Sequence, residues 1–262
     1  MQQATNLLWP ETPFGSVTSP WQKRAKWLVG ISLLWGEAGD EPVLMGAGMV
    51  FISVHRTRSR SFSAPLANFG YRVLVPEAMG QTDQIVHELD NVLVQSRRQA
   101  QIIAWHNGAD DLHVLQQLPR PEGAGRYAGV SAVAEAWKRR TTRDPSTAGC
   151  VDSSHDLGPA GLISDTAVAH DLEPMKSFAG EQQQASAQEA CEALADGRAA
   201  DYAPEALIGS VLSSALTTAL LGGKHAGRLH WEGSVSIYEA LEQVAWQAAP
   251  SLLGGVATTR NK

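Results

Sequence analysis

Along residues 26–34 (KWLVGISLL) the apolar side chains alternate, with Trp27, Val29, Ile31 and Leu33 on one face, and a β-strand is predicted. A second apolar run over 43–54 reads as a strand whose glycines, Gly46 and Gly48, mark a bulge or a close backbone approach. A third strand spans 71–75 and ends at Pro76. The period then lengthens. Over 82–98, Ile85, Leu89, Val92 and Leu93 share a helical face, and Arg97 and Arg98 fall at the C-terminal end, where the helix dipole favours them. Residues 102–105 form a short buried strand, His106-Asn107-Gly108 a polar turn, and Leu112, Leu115 and Leu118 recur at helical spacing after it. A helix over 130–140 ends in Lys138-Arg139-Arg140, and 149–153 is the fifth strand. Helices are expected at 159–172, 185–194 and 235–247. The longest spans 202–221, carries Leu207, Val211, Leu212 and Leu216 on a wide apolar face, and is expected to stop at Gly222-Gly223.

Three strands in a row, then helix, strand, helix, strand and further helices predict an α/β fold. Its mixed β-sheet would be a three-strand meander followed by α/β crossovers, flanked by helices. No Pro/Gly/Ser linker divides the chain, so one domain is expected over 26–248. Residues 1–25, with Pro10, Pro13 and Pro20, read as an irregular lead-in, and 249–262 as a frayed tail.

The 262 residues suffice for a real core, and 44% apolar with 18% charged residues is a globular composition. A net charge of -6 excludes a basic nucleic-acid coat without excluding a local basic patch. Cys150 and Cys191 form no CxxC pair, which points to a reducing compartment without a disulfide framework or structural zinc. No apolar run is read as approaching the roughly 20 residues that span a bilayer. The first residues lack a signal-peptide pattern, so no membrane association and a cytoplasmic location are expected.

The candidate chemistry is sparse. Asp110 and Asp111 enter the first turn of a helix just after a strand, where a carboxylate serves either as a cap or as a site residue. Arg56, Arg58 and Arg60 alternate in HRTRSRSFSAP, read either as a solvated edge or as phosphate contacts. Gly46-x-Gly48 lacks the third glycine of a dinucleotide loop, and neither a P-loop nor a G-x-S-x-G elbow occurs. His155, His170, His225 and His230 lack partners at metal-ligand spacing, and Cys150 reads as inert core.

Element order together with AWHNGADDLHVL resembles the RNase H-like DEDD 3′–5′ exonucleases of the proofreading type. On that family's G-H-N-x-x-x-D-x-x-x-L segment fall His106, Asn107, Asp111 and Leu115, with Trp105 in place of the glycine. The resemblance covers residues 26–246. It implies an RNase H-like sheet and two-metal phosphodiester hydrolysis, with carboxylates holding two divalent cations. The family's first-strand D-x-E falls on Gly30 and Ser32, and its late-helix Y-x-x-x-D on Tyr202 and Ala206. Of four acids, Asp111 alone remains.

The expectation is therefore a catalytically inactive exonuclease-like protein that binds nucleic acid or protein. Asp111 and Tyr202 would be remnants of its site, with no cofactor and no metal beyond what Asp111 holds. Arg56, Arg58, Arg60, His106, Asn107, Lys138, Arg139 and Arg140 would contact a single strand, with tryptophans such as Trp35 and Trp105 stacking on bases. Two alternatives stay open. One is an active Mg²⁺- or Mn²⁺-dependent 3′–5′ exonuclease using Asp111 and Tyr202 with recruited Glu37, Asp40 or Glu205. The other is a scaffold that oligomerises, with 180–195 as a surface and no nucleic-acid role.

Overall fold

In the computed structural model, residues 1–7, 25–39, 41–119, 127–140, 149–158, 161–175, 181–198 and 202–245 are described. In chain order the elements begin with β1 (Gln2–Thr5), β2 (Ala25–Ala38), β3 (Glu41–His55), β4 (Arg60–Ser61) and β5 (Gly70–Val75). Next come α1 (Thr82–Gln99), β6 (Ala100–Trp105), α2 (Gly108–Gln117), α3 (Ala128–Lys138) and β7 (Gly149–Asp152). Then follow α4 (Ser153–Asp156), α5 (Ile163–Ala169), β8 (Leu172–Glu173), α6 (Glu181–Ala195) and α7 (Pro204–His225). The last three are β9 (Leu229–His230), β10 (Val235–Ser236) and α8 (Ile237–Ala245).

Six strands form one mixed sheet in the order β1-β5-β3-β2-β6-β7. β2, β3 and β5 pair antiparallel as a meander, while β6 joins β2 in parallel and β7 joins β6 in parallel. Helices cover both faces, so the α/β class with a mixed sheet is what the chain adopts. The lead-in is not wholly irregular: β1 pairs antiparallel with β5 along the sheet edge. β2 also runs four residues beyond the predicted end at Leu34, through a register shift at Leu34/Trp35. Trp9, Phe14 and Trp21, named by sequence as anchors of the lead-in, lie outside the described residues.

Strand alternation sends two different sets of side chains to the two faces. Val29, Ile31, Met49 and Phe51 join Ile85, Leu89 and Leu93 of α1 and Val133 and Trp137 of α3 in one core. The opposite face receives α7, which runs antiparallel to β2. A Cβ at Gly48 would lie 2.4 Å from Val211 Cγ1, one at Gly30 would lie 2.4 Å from the Ala215 carbonyl oxygen, and one at Gly222 would lie 2.3 Å from Ala104 Cβ. The strand glycines thus mark a close helix approach, and Gly46 also flanks the register shift opposite Leu34/Trp35, so both readings of Gly46 hold. Gly222 and Gly223 do not end the helix. They lie inside it, where their missing side chains let it rest on β6, β2 and β9.

α7 also corrects the reading that no stretch approaches bilayer-spanning length. It has 22 residues and is long and apolar enough to cross a membrane by length and composition. Every residue from Leu207 to Gly223 is buried within the protein. Ser210, Ser213, Ser214, Thr217 and Thr218 interrupt its apolar run, and Thr217 Oγ1 returns its hydrogen bond to the Ser213 carbonyl at 2.8 Å inside the helix.

Beyond Ile31, β2 outruns its parallel neighbour β6 and leaves a free edge. α6 covers it. Gln184 Nε2 donates to the Trp35 carbonyl at 3.0 Å, and Gln188 accepts from the Glu37 N–H at 2.9 Å while donating to its carbonyl at 3.2 Å. The Gln188 amide thus takes the place of a neighbouring strand's backbone, which answers the need of edge groups for partners.

Candidate functional site

The parallel strands β2, β6 and β7 all end on one side of the sheet, the side where α/β sheets commonly place ligands. The chain leaves β6 at Trp105 through His106 and Asn107. Asn107 adopts the left-handed conformation (φ 59°), which Asn tolerates, and its carbonyl accepts the N–H groups of Asp110 and Asp111, both at 3.1 Å. Gly108 opens α2 because a Cβ there would lie 2.5 Å from the Trp137 indole.

This turn aims Asp111 inward. Its Oδ1 accepts from Trp35 Nε1 at 2.8 Å and its Oδ2 from Trp105 Nε1 at 2.7 Å. Trp105 is fully buried and meets Trp137 edge to face, with ring centroids 6.1 Å apart and an interplanar angle of 78°. Trp137 Nε1 in turn donates to Asp152 Oδ2 at 3.2 Å. Asp152, fully buried at the end of β7, accepts from Ser154 Oγ at 2.6 Å and Ser154 N at 3.2 Å through its other oxygen. Three indoles and two aspartates therefore form one continuous chain across the strand ends. Burial of its carboxyl raises the pKa of Asp111 to about 7, against the pull of both indole bonds and with the help of the nearby Asp110 and Asp152 charges.

His106 reaches beyond its own turn. Its Nε2 donates to the Gly161 carbonyl at 3.0 Å, since a carbonyl can only accept, and its Nδ1 sits 3.0 Å from Ser153 Oγ. The ring ties the β6 exit to α4 and the loop beyond it. Burial lowers its pKa, opposed by the Gly161 bond and the Asp152 charge, so the neutral ring is favoured.

The positions expected to form a metal site do not converge. Gly30 and Ser32 face α7, Gly30 beneath Ala215 and Ala219, whereas Asp111 is bound by tryptophans packed on the α1–α3 face. Ala206 lies nine residues before Ala215, about 14 Å along the helix axis at the α-helical rise. Tyr202 packs on the α7 face. Its hydroxyl is buried without a hydrogen-bond partner among the described residues, and burial, Glu205 and Glu77 raise its pKa. Among the acids considered as substitutes, Glu37 is an exposed strand residue and Glu205 lies in the first turn of α7. Asp40 lies outside the described residues.

A two-metal centre needs several free carboxylate oxygens on one site. A carboxylate whose two oxygens already face indole hydrogens offers a cation little, and Gly30 has no room for a side chain. The residues do not fit. Among the described residues, no group of three or more His, Cys, Asp or Glu is placed to hold a metal ion.

The basic residues separate too. Arg139 pairs with Glu135, and Arg140 Nε lies 3.8 Å from Asp156 Oδ1, on the strand-exit side. Arg56, Arg58 and Arg60 are exposed around the β3–β4 turn, where β3 ends beside the start of β2. Over the ten residues between Ala25 and Trp35, a strand covers about 33 Å. Trp105 cannot stack on a base, being buried. Burial also raises the pKa of Cys150, to about 11, in keeping with an inert thiol.

Sequence reasoning missed Asp152, Trp137, Ser153 and Ser154. One signal was available, the polar run Asp152-Ser153-Ser154 directly after an apolar strand. No family model, curated protein or solved structure matches the chain.

Proposed function

We propose that the chain is a non-catalytic relative of the RNase H-like DEDD 3′–5′ exonucleases and serves as a nucleic-acid-binding module. Two features support the ancestry: a meander of three strands extended by two parallel crossover strands, and the segment from His106 to Leu115, whose Asp111 follows a β6–turn–α2 connection. The observation that carries the loss of catalysis is the closed position of Gly30, where α7 backbone lies at the distance a first carboxylate's own Cβ would need. Asp111 has become the acceptor of two indole N–H groups instead of a metal ligand. Dismantling the acid cluster also removes the repulsion that several adjacent carboxylates create without cations.

The test is calorimetric titration of Mn²⁺ into the protein, with degradation of end-labelled single-stranded DNA followed in the same buffer. No heat of binding and intact DNA are expected. Micromolar Mn²⁺ affinity with cleavage lost in Asp111→Ala would establish a working nuclease and overturn the proposal.

A further inference from the structure

We propose that the strand-entry end of the sheet, opposite the Asp111 network, is a surface for the phosphodiester backbone of nucleic acid. The inference rests on the binding half of the reading above and moves the contact away from the ancestral metal side. Three segments meet there. The Arg60 N–H donates to the Arg228 carbonyl and the Phe62 N–H to the His230 carbonyl, both at 2.9 Å, joining the β3–β4 turn to β9. Gln101 Nε2, at the start of β6, donates to the Arg56 carbonyl at 3.0 Å, which brings the end of α1 with Arg97 and Arg98 alongside. Arg97 is near enough to the Cys150 thiol of β7 to pull its pKa down against burial, as is Arg140 from beyond the end of α3.

The charge of these segments is one-sided. Residues 42–76, 91–109 and 206–231 contain no Asp or Glu, in a chain whose net charge is -6. Arg56, Arg58, Arg60, Arg97 and Arg98 form no ion pair with any described residue. Arg60 is nonetheless held in place, its Nη1 donating to the Ser53 carbonyl at 3.1 Å. The cations are arginines, whose planar forks match paired phosphate oxygens. From β3 through β2 and β6 to β7 is three strand spacings, about 14 Å. That spread suits a polymer with repeating charges better than a single phosphate group. No exposed aromatic ring is described among these segments, so the contact would be to the backbone and insensitive to sequence.

The experiment is fluorescence anisotropy of a labelled 20-nucleotide single strand and of the matching duplex, titrated with the full chain between 50 and 200 mM salt. Binding is expected to weaken with salt at a log–log slope of about -2 or steeper on the single strand, as three or more phosphate contacts require. Arg56→Ala/Arg58→Ala/Arg98→Ala should weaken binding about tenfold or more at the lowest salt and flatten that slope by about 2. Lys138→Ala/Arg139→Ala, with thermal unfolding confirming that both variants fold, should stay within about twofold of the parent. Tighter binding of either nucleic-acid form supports the proposal and names the form bound. It is overturned if neither form binds, if the Lys138/Arg139 variant alone loses binding, or if polyglutamate binds as well at equal charge, which would indicate an acidic protein partner. A positive nuclease assay with this arginine dependence intact would overturn the preceding proposal and leave this one standing.

Discussion

Where β2, β6 and β7 end, the buried carboxylates have internal partners and two nearby arginines have acidic neighbours. Asp111 has two indoles, Asp152 an indole and Ser154, Arg140 has Asp156 and Arg139 has Glu135. Where the same strands begin, Arg56, Arg58 and Arg98 are exposed and Arg97 is half-buried, with no acidic partner described. A buried carboxylate must be satisfied internally or neutralised, because water is not there to solvate it. An exposed guanidinium carries no such requirement and stays available to a ligand. The location of the nuclease-like motif is thus a poor guide to where this protein offers charge to its surroundings. One end holds its aspartates in an internal network, and the other presents arginines to its surroundings.

The sharpest way to break this comparison is to place an acid on the α7-facing side of β2. Gly30→Asp should not create a metal site. Its Cβ would meet the Ala215 carbonyl and the Ala219 N–H at 2.4 and 2.6 Å, so a loss of more than ~4 kcal/mol is expected, read as failure to fold or a collapsed melting temperature. A folded Gly30→Asp that binds Mn²⁺ would show the exit end to be open after all.

The next effect is pH dependence. Folding raises Asp111 from an ordinary carboxylate pKa near 3.9 to about 7, so between those values the folded state keeps a proton that the unfolded chain has released. The associated stability is full below about pH 4, declines as pH rises, and is lost above about pH 7. The shift corresponds to ~4 kcal/mol. Denaturant unfolding at pH 4.5 and 7.5 should show Asp111→Asn losing most of the parent's decline, and equal declines in the two proteins would remove this account of Asp111.

Smaller still is the capped edge of β2. Gln188→Ala removes two hydrogen bonds to Glu37 and should destabilise by ~1 kcal/mol. It also exposes strand backbone, so concentration-dependent self-association is expected by light scattering. The least effect belongs to the entry end. Arg58→Ala should change stability by less than ~0.5 kcal/mol in chemical denaturation, since the side chain is exposed and unpaired.

Local pattern carried the sequence reading where neighbours in the chain decide the structure. α1 begins and ends within a residue of its predicted bounds, because Ile85, Leu89, Val92 and Leu93 declare its buried face. The β6–turn–α2 connection was equally legible. Gly222 and Gly223 were misread because a glycine that admits a neighbouring strand looks the same in sequence as one that ends a helix. That Gly30 and Ser32 stand where the resembled motif carries acids was visible, but not that α7 lies on that strand. The Asp111 network depends on Trp35, 76 residues away, and joins Trp137 to Asp152 across 15. Indole N–H groups leave no spacing signature that would identify their acceptors.

The most direct test of the closed exit end is the ¹³C carboxyl resonance of Asp111, followed through a pH titration with and without Mn²⁺. The account predicts a midpoint near 7 and a signal that paramagnetic Mn²⁺ leaves sharp. A midpoint in the ordinary carboxylate range, with broadening at low micromolar Mn²⁺, would mean that Asp111 holds metal.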